Sequence, residues 1–203
     1  MSENRQSEQL ISFEEYLAGE QIAEQKHELV AGRVFAMAGA TAAHNRISLN
    51  AATHLDSHLE GSPCAPFMAD MKLRVRLGAD DHVYYPDVLV TCDPDDDHEL
   101  YKERPDTIIE VLSNSTEATD RREKLNAYTQ IPSLNNYLLI AQKVMEVTLF
   151  QRETGWKAEV FTQADDQVTL KSLKLTLSLE KLYRRVIFPH IDPITEIETF
   201  PSS

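Results

Sequence analysis

Apolar residues recur along this chain at two spacings, four and two, and the change between them marks the elements. From Thr41 to about Leu59, Ala43, Ile47, Ala51, Leu55 and Leu59 fall every fourth residue, which predicts a helix with one apolar stripe. Ser12-Phe13-Glu14-Glu15 has capping-box spacing and predicts a short helix from about Phe13 to Ala18. Period two governs Phe67 to Leu77, which predicts one strand with a buried face and a face carrying Asp70, Lys72, Arg74 and Arg76. His27 to Phe35, divided by Ala31-Gly32, predicts a tight hairpin in which Gly32 supplies a positive φ.

Two runs, Val83–Val90 and Thr107–Ser113, are short, apolar and rich in β-branched residues, as buried strands are. A helix follows from about Glu117 or Asp120 to Gln130, where Pro132 ends it. Asn136–Ala141 and Val144–Phe150 read as strands about a short turn. Trp156–Thr162 and Val168–Leu175 extend the antiparallel part, and a last helix is expected from about Leu179 to Val186. The alternation of strand and helix predicts a mixed α/β (α+β) domain with a central mixed sheet flanked by helices. That domain is expected over residues 1–188, with 189–203 a loosely held, proline-bearing tail.

Composition changes this picture little. Of 203 residues 42% are hydrophobic and 26% charged, as in a soluble globular domain. No apolar run has the length of a membrane span, and the polar first residues lack the apolar core of a signal peptide. With only Cys64 and Cys92, and no CxxC, the expectation is reduced thiols in a cytoplasmic protein. A net charge of −13 argues against broad, nonspecific attraction to nucleic acid.

The candidate chemistry lies in the two apolar runs. Each carries one carboxylate, Asp87 and Glu110, and an ionised carboxylate in a core strand is costly unless paired or metal-bound. Two on neighbouring strands suggest a hard cation such as Mg²⁺, whereas at strand ends each would simply point into water. Pro86 marks a bulge or edge that could re-aim Asp87. Glu28, just before the hairpin turn, reads plainly as an exposed strand residue. Strand rise over Glu110–Asn114 (about 13 Å) and helix rise over Glu117–Lys124 (about 10 Å) would return Lys124 to the level of Glu110. There its ammonium could serve a phosphate; otherwise Asp120 and Lys124 are an i,i+4 surface pair. The Lys72–Arg76 face is a phosphate-facing stripe or an ordinary solvated one. His54 and His58 have the spacing of a zinc pair without a third ligand, and Asp93–Asp97 reads as a solvated turn.

Pro86-Asp87, then Ile109-Glu110-Val111-Leu112-Ser113, then Asp120, Lys124 and Tyr128, resembles the Uma2 (DUF820) group of the PD-(D/E)XK restriction-endonuclease-like superfamily. His27-Glu28-Leu29-Val30-Ala31-Gly32 is similar to that group's N-terminal hairpin, His44 to its histidine, and Asn136-Tyr137-Leu138-Leu139-Ile140 to its later strand. The resemblance implies Asp87 and Glu110 as ligands of Mg²⁺ or Mn²⁺, with Glu28 an accessory acid and His44, Asp70 and Tyr128 further accessory positions. The superfamily's usual lysine position holds Leu112, and Uma2-type sequences place the lysine on the following helix, here Lys124. The implied activity is a Mg²⁺-dependent endonuclease on DNA, most simply a C₂ homodimer if both strands are cut. The alternatives are a non-catalytic binding or regulatory module on the same fold, and a zinc hydrolase using His44, His54 or His58.

Overall fold

Ser12 opens the first helix, α1 (Phe13–Glu20), with a complete capping box: the Ser12 hydroxyl accepts from Glu15 N–H and the Glu15 carboxylate from Ser12 N–H. The computed structural model describes residues 10–113 and 120–188, so the tail 189–203 and the start of the helix expected from Glu117 lie outside the described residues. β1 (His27–Val30) and β2 (Arg33–Ala36) form the hairpin, turning at Ala31 (φ 47°) and Gly32 (φ 79°). Gly32 is needed twice, because a Cβ there would also stand 2.9 Å from Leu10 Cβ.

The alternating run after α2 (Ala42–Leu59) is not one strand. It breaks at Ala69 (φ 43°) and Asp70 into β3 (Ala65–Met68) and β4 (Lys72–Leu77), which belong to different sheets. The Val83–Val90 run breaks likewise, into β5 (Asp80–Tyr84) and β6 (Val88–Thr91), with Tyr85-Pro86-Asp87 crossing between the sheets. Pro86 has no N–H for a ladder, and the break falls there.

β7 (Tyr101–Lys102) completes one sheet in the order β2-β1-β5-β4-β7. The central mixed sheet runs β11-β10-β9-β8-β6-β3, built with β8 (Pro105–Leu112), β9 (Asn136–Ala141), β10 (Val147–Gln151) and β11 (Ala158–Phe161). β8 and β9 are parallel; the other pairs of that sheet are antiparallel. A π-helical turn (Asp120–Lys124) and α3 (Leu125–Tyr128) lie between β8 and β9. The expected Val168–Leu175 strand is instead a hairpin, β12 (Gln167–Leu170) and β13 (Leu175–Ser178), followed by the short α4 (Leu179–Leu182).

α2 lays Ile47, Ala51, Leu55 and Leu59 against one face of the central sheet, with Val88, Val90, Ile109 and Val111. Each fully buried Ile or Leu there contributes about 1.5–3 kcal/mol. The other face packs Leu89, Ile108 and Leu139 against Tyr128 and Tyr137. Cys64 and Cys92 are not free thiols but a disulfide. The reason is register: Ala65 pairs with Thr91, so the next residues out face each other. Among the described residues no helix is long and apolar enough to cross a membrane.

Candidate active site

Five separate pieces of chain meet at one end of the central sheet. β6 and β8 pair with Val88 opposite Ile109. Asp87, just before β6, therefore falls at the Glu110 end of β8, close enough for its charge to act on that of Glu110. Asp87 Oδ2 accepts the Val111 N–H at 2.7 Å and lies 3.2 Å from His44 Nε2. His44 sits in the first turn of α2, whose N-cap is Thr41. Glu110, on a strand buried along its whole length, accepts from the Tyr128 hydroxyl at 2.9 Å through Oε1.

The π-helical turn supplies the cation. It buries Asp120 and Lys124 and leaves Arg122 and Glu123 exposed. Lys124 Nζ lies 3.0 Å from Glu28 Oε1, 3.2 Å from Glu110 Oε1 and 3.2 Å from Asp120 Oδ1. The ammonium also stands 5.5 Å from the centre of the Tyr84 ring, within cation–π reach. Beneath it Tyr84, Tyr128 and Tyr137 pack edge to face, and the Tyr137 hydroxyl donates to the Asp120 carbonyl. Glu28 reaches this point from the other sheet, its Oε1 also accepting from Tyr85 N–H at 3.4 Å.

Charge is unbalanced here. Among the described residues three carboxylates, Glu28, Glu110 and Asp120, pair with the ammonium of Lys124, and Asp87 lies close by against the His44 ring. Burial drives the Glu110 pKa well above the carboxylate range; Lys124 pulls against this, while Asp120, Asp87 and Glu28 push further up. Lys124 loses by burial but gains more from Glu110, Glu28 and Asp120, so its pKa rises and it stays protonated. Among the described residues buried Asp120 Oδ1 has the Lys124 ion pair but no hydrogen-bond donor. A cluster of carboxyl oxygens in so dry a place suits a hard cation, which takes one or two carboxylates and completes its shell with water and substrate phosphate. Among the described residues no three His, Cys, Asp or Glu are placed to hold a metal ion together, as a structural zinc would need.

The other sequence candidates stand apart. Asp70 is 82% exposed and pairs with Lys26 at the surface. Arg74 pairs with Asp81 and Glu103, and Arg76 with the same two acids, so that face is largely self-neutralised. His58 Nε2 lies 3.0 Å from the Leu173 carbonyl, and burial together with Lys181 and Arg184 lowers the His54 pKa. Asp96 is no solvated turn residue: its buried carboxylate accepts from Thr91 Oγ1, Glu103 N–H and Arg104 N–H and ties the 93–104 loop together.

Two groups that sequence reasoning missed shape the site. Asp120 reads as half of a surface pair, yet it is a buried partner of Lys124. Glu20, at the end of α1, accepts from the Tyr85 hydroxyl at 2.6 Å and from His27 N–H at 3.2 Å, and its Oε1 lies 2.8 Å from His27 Nδ1. Tyr85 and His27 stand next to the crossing and to Glu28, so this one carboxylate fixes both approaches to the acids. A carboxylate at the last position of a helix carries no sequence signal for that role.

The chain as a whole is similar to known proteins. Residues 13–180 match the model of the Uma2 family, whose description is "Putative restriction endonuclease". Two uncharacterized proteins of Synechocystis sp. are similar along most of their length. One, slr1290, is 34% identical over 180 residues, covering 88% of this chain and 94% of its own. The other, sll1609, is 32% identical over 146 residues, covering 70% and 81%. A crystal structure from Anabaena variabilis, described as a "putative nuclease belonging to DUF820", superposes with a TM-score of 0.67 at 19% identity. It covers 81% of this chain and 93% of that one, and shows that the two share a fold.

Proposed function

This chain belongs to the Uma2 family, and on that premise we propose that it is a Mg²⁺- or Mn²⁺-dependent endonuclease hydrolysing phosphodiester bonds in DNA. The observation that carries the reading is the convergence of Glu28, Glu110 and Asp120 on Lys124, with Asp87 at the same end of β8, held by Val111 N–H.

Asp87 and Glu110 would hold the cation, which when bound supplies charge neutralisation at the phosphate and a more acidic water. The chain's own residues do the rest. Val111 N–H and the His44 ring fix the Asp87 carboxylate, and the Tyr128 hydroxyl fixes that of Glu110. Lys124 keeps its proton and presents a positive charge where the phosphate oxygens gain negative charge in the transition state. Glu28, held by Lys124 and Tyr85 N–H, can orient the attacking water through a hydrogen bond. Cutting both strands of a duplex calls for a homodimer in which each protomer cuts one strand.

Plasmid, linear and single-stranded DNA incubated with Mg²⁺ or Mn²⁺, with Asp87→Ala in parallel, tests this reading. Cleavage by the wild type and none by the variant is the expected result. Binding without cleavage would favour a non-catalytic module on the same fold.

A further inference from the structure

The hairpin of β1 and β2 offers a group that the proposed hydrolysis does not use. β2 is an edge strand with all four residues exposed. Opposed residues of an antiparallel pair project to the same face. Leu29 and Val34 are one such pair, and Leu29 is buried against α1 with Phe13, Tyr16 and Val83. Glu28 and Phe35 are the next pair, so they share the opposite face, where Glu28 meets Lys124. Phe35 thus stands one cross-strand step, about 5 Å between Cβ atoms, from an acid of the site. It is 51% exposed and belongs to none of the three apolar clusters of the core.

A half-exposed phenyl ring on an edge strand adds little to stability, but it has a use beside a phosphate site. Bases of an unpaired strand stack on aromatic rings with little regard to sequence, and they lie within one nucleotide of the phosphate. This chain also needs such a contact. At a net charge of −13 it cannot draw a polyanion through a broad positive field, and stacking is indifferent to net charge.

We propose that Phe35 is a base-stacking platform, on which the nucleobase next to the phosphate at the acids lies unstacked from its neighbours. The substrate it selects is nucleic acid unpaired at the position cut, which includes a base turned out of a duplex strand. This rests on the reading of the acids as a phosphodiesterase site and adds to it a residue that governs substrate choice.

The test is steady-state cleavage of a single-stranded DNA oligonucleotide with Mn²⁺ by the full-length wild type, Phe35→Ala, Phe35→Leu and Phe35→Trp. Oligonucleotides with one abasic position, moved along the strand, complete the set. Phe35→Ala and Phe35→Leu should raise KM roughly 5- to 100-fold with kcat nearly unchanged, and Phe35→Trp should keep the wild-type KM. One abasic position should cost the wild type a similar factor and cost Phe35→Ala nothing further. Thermal midpoints of all three variants should match the wild type, because the ring is not part of the core. Asp87-dependent cleavage with an unchanged KM in Phe35→Ala would overturn the platform alone. A wild type that neither binds nor cuts nucleic acid would remove the reading of the acids, and the platform with it. A Phe35→Ala protein of half the wild-type mass in sedimentation would assign the ring to contact between copies of this chain and overturn the proposal.

Discussion

Lys124 Nζ and Glu110 Oε1 stand 3.2 Å apart, both groups buried, although 14 residues separate them in the chain. An ion pair so placed is held on one side by a strand of the central sheet and on the other by a π-helical turn, a distortion that recurs at functional sites. Removing one partner of a buried pair leaves the other charge uncompensated, at a cost of about 3–5 kcal/mol. Here the remainder would be three carboxylates.

Lys124→Ala is therefore expected to show two effects that can be separated. Its metal-free form should melt lower than the wild type, by about 2–4 °C for each kcal/mol lost. Mn²⁺ should restore part of the difference by replacing the missing positive charge. With metal present, cleavage should still fall about 10²-fold or more, the scale of losing one transition-state donor. Lys124→Arg should rescue little, since a planar guanidinium does not fit among acids arranged around a compact ammonium. An unchanged rate and midpoint in Lys124→Ala would remove the lysine from the mechanism.

Titration calorimetry addresses Asp87 directly. The wild type should bind Mn²⁺, and Asp87→Asn, which keeps the shape but not the charge, should bind it at least tenfold more weakly. Equal affinities would mean that Asp87 is not a ligand.

Glu20 gives a pH-dependent prediction away from the metal ligands. Burial raises its pKa, but the hydrogen bonds from Tyr85 and His27 together outweigh this and hold it below the ordinary 4.5. A carboxyl group depressed by folding stabilises the native state above its unfolded pKa, and that contribution disappears as the pH falls through the folded value. Glu20→Gln should cost about 1–3 kcal/mol near neutral pH. The gap between wild-type and variant midpoints should close as the pH drops below 4.5. A gap that stays constant from pH 7 to pH 3 would show that ionisation of Glu20 contributes nothing.

Assembly has a simple readout. Light scattering at micromolar concentration should give twice the mass of one 23.1 kDa chain, as a C₂ nuclease requires. A strictly monomeric mass would exclude that arrangement.

Local chemistry made the helices and the hairpin legible in the sequence. Ser12 and Glu15 are three residues apart and close their own box, and Ala31-Gly32 turns without help from elsewhere. The division of two apolar runs between sheets was not legible. Ala69 turns with a positive φ and no glycine, and Pro86 marks a break without revealing that β5 and β6 join different sheets. In the site, Asp87 and Glu110 were conspicuous as charges in apolar strands. Asp120 was not, because its spacing to Lys124 is also that of an ordinary surface pair, and only the burial of the π-helical turn distinguishes the two. The disulfide depended on a register that spacing in the chain does not reveal.

The two crossings from sheet to sheet, at Ala69-Asp70 and at Tyr85-Pro86-Asp87, lie side by side, and the Ala69 N–H donates to the Asp87 carbonyl. They make the acids a gauge of how the two sheets are seated. Glu28 travels with one sheet, Asp87 and Glu110 with the other, and the Lys124 ammonium is the bolt through the seam. A small shear between the sheets would leave nearly every ladder bond intact and still pull Glu28 away from its partners. The converse also holds: whatever grips all of the acids at once stiffens the joint, so occupancy of the site and rigidity of the β1–β2 arm become a single mechanical quantity.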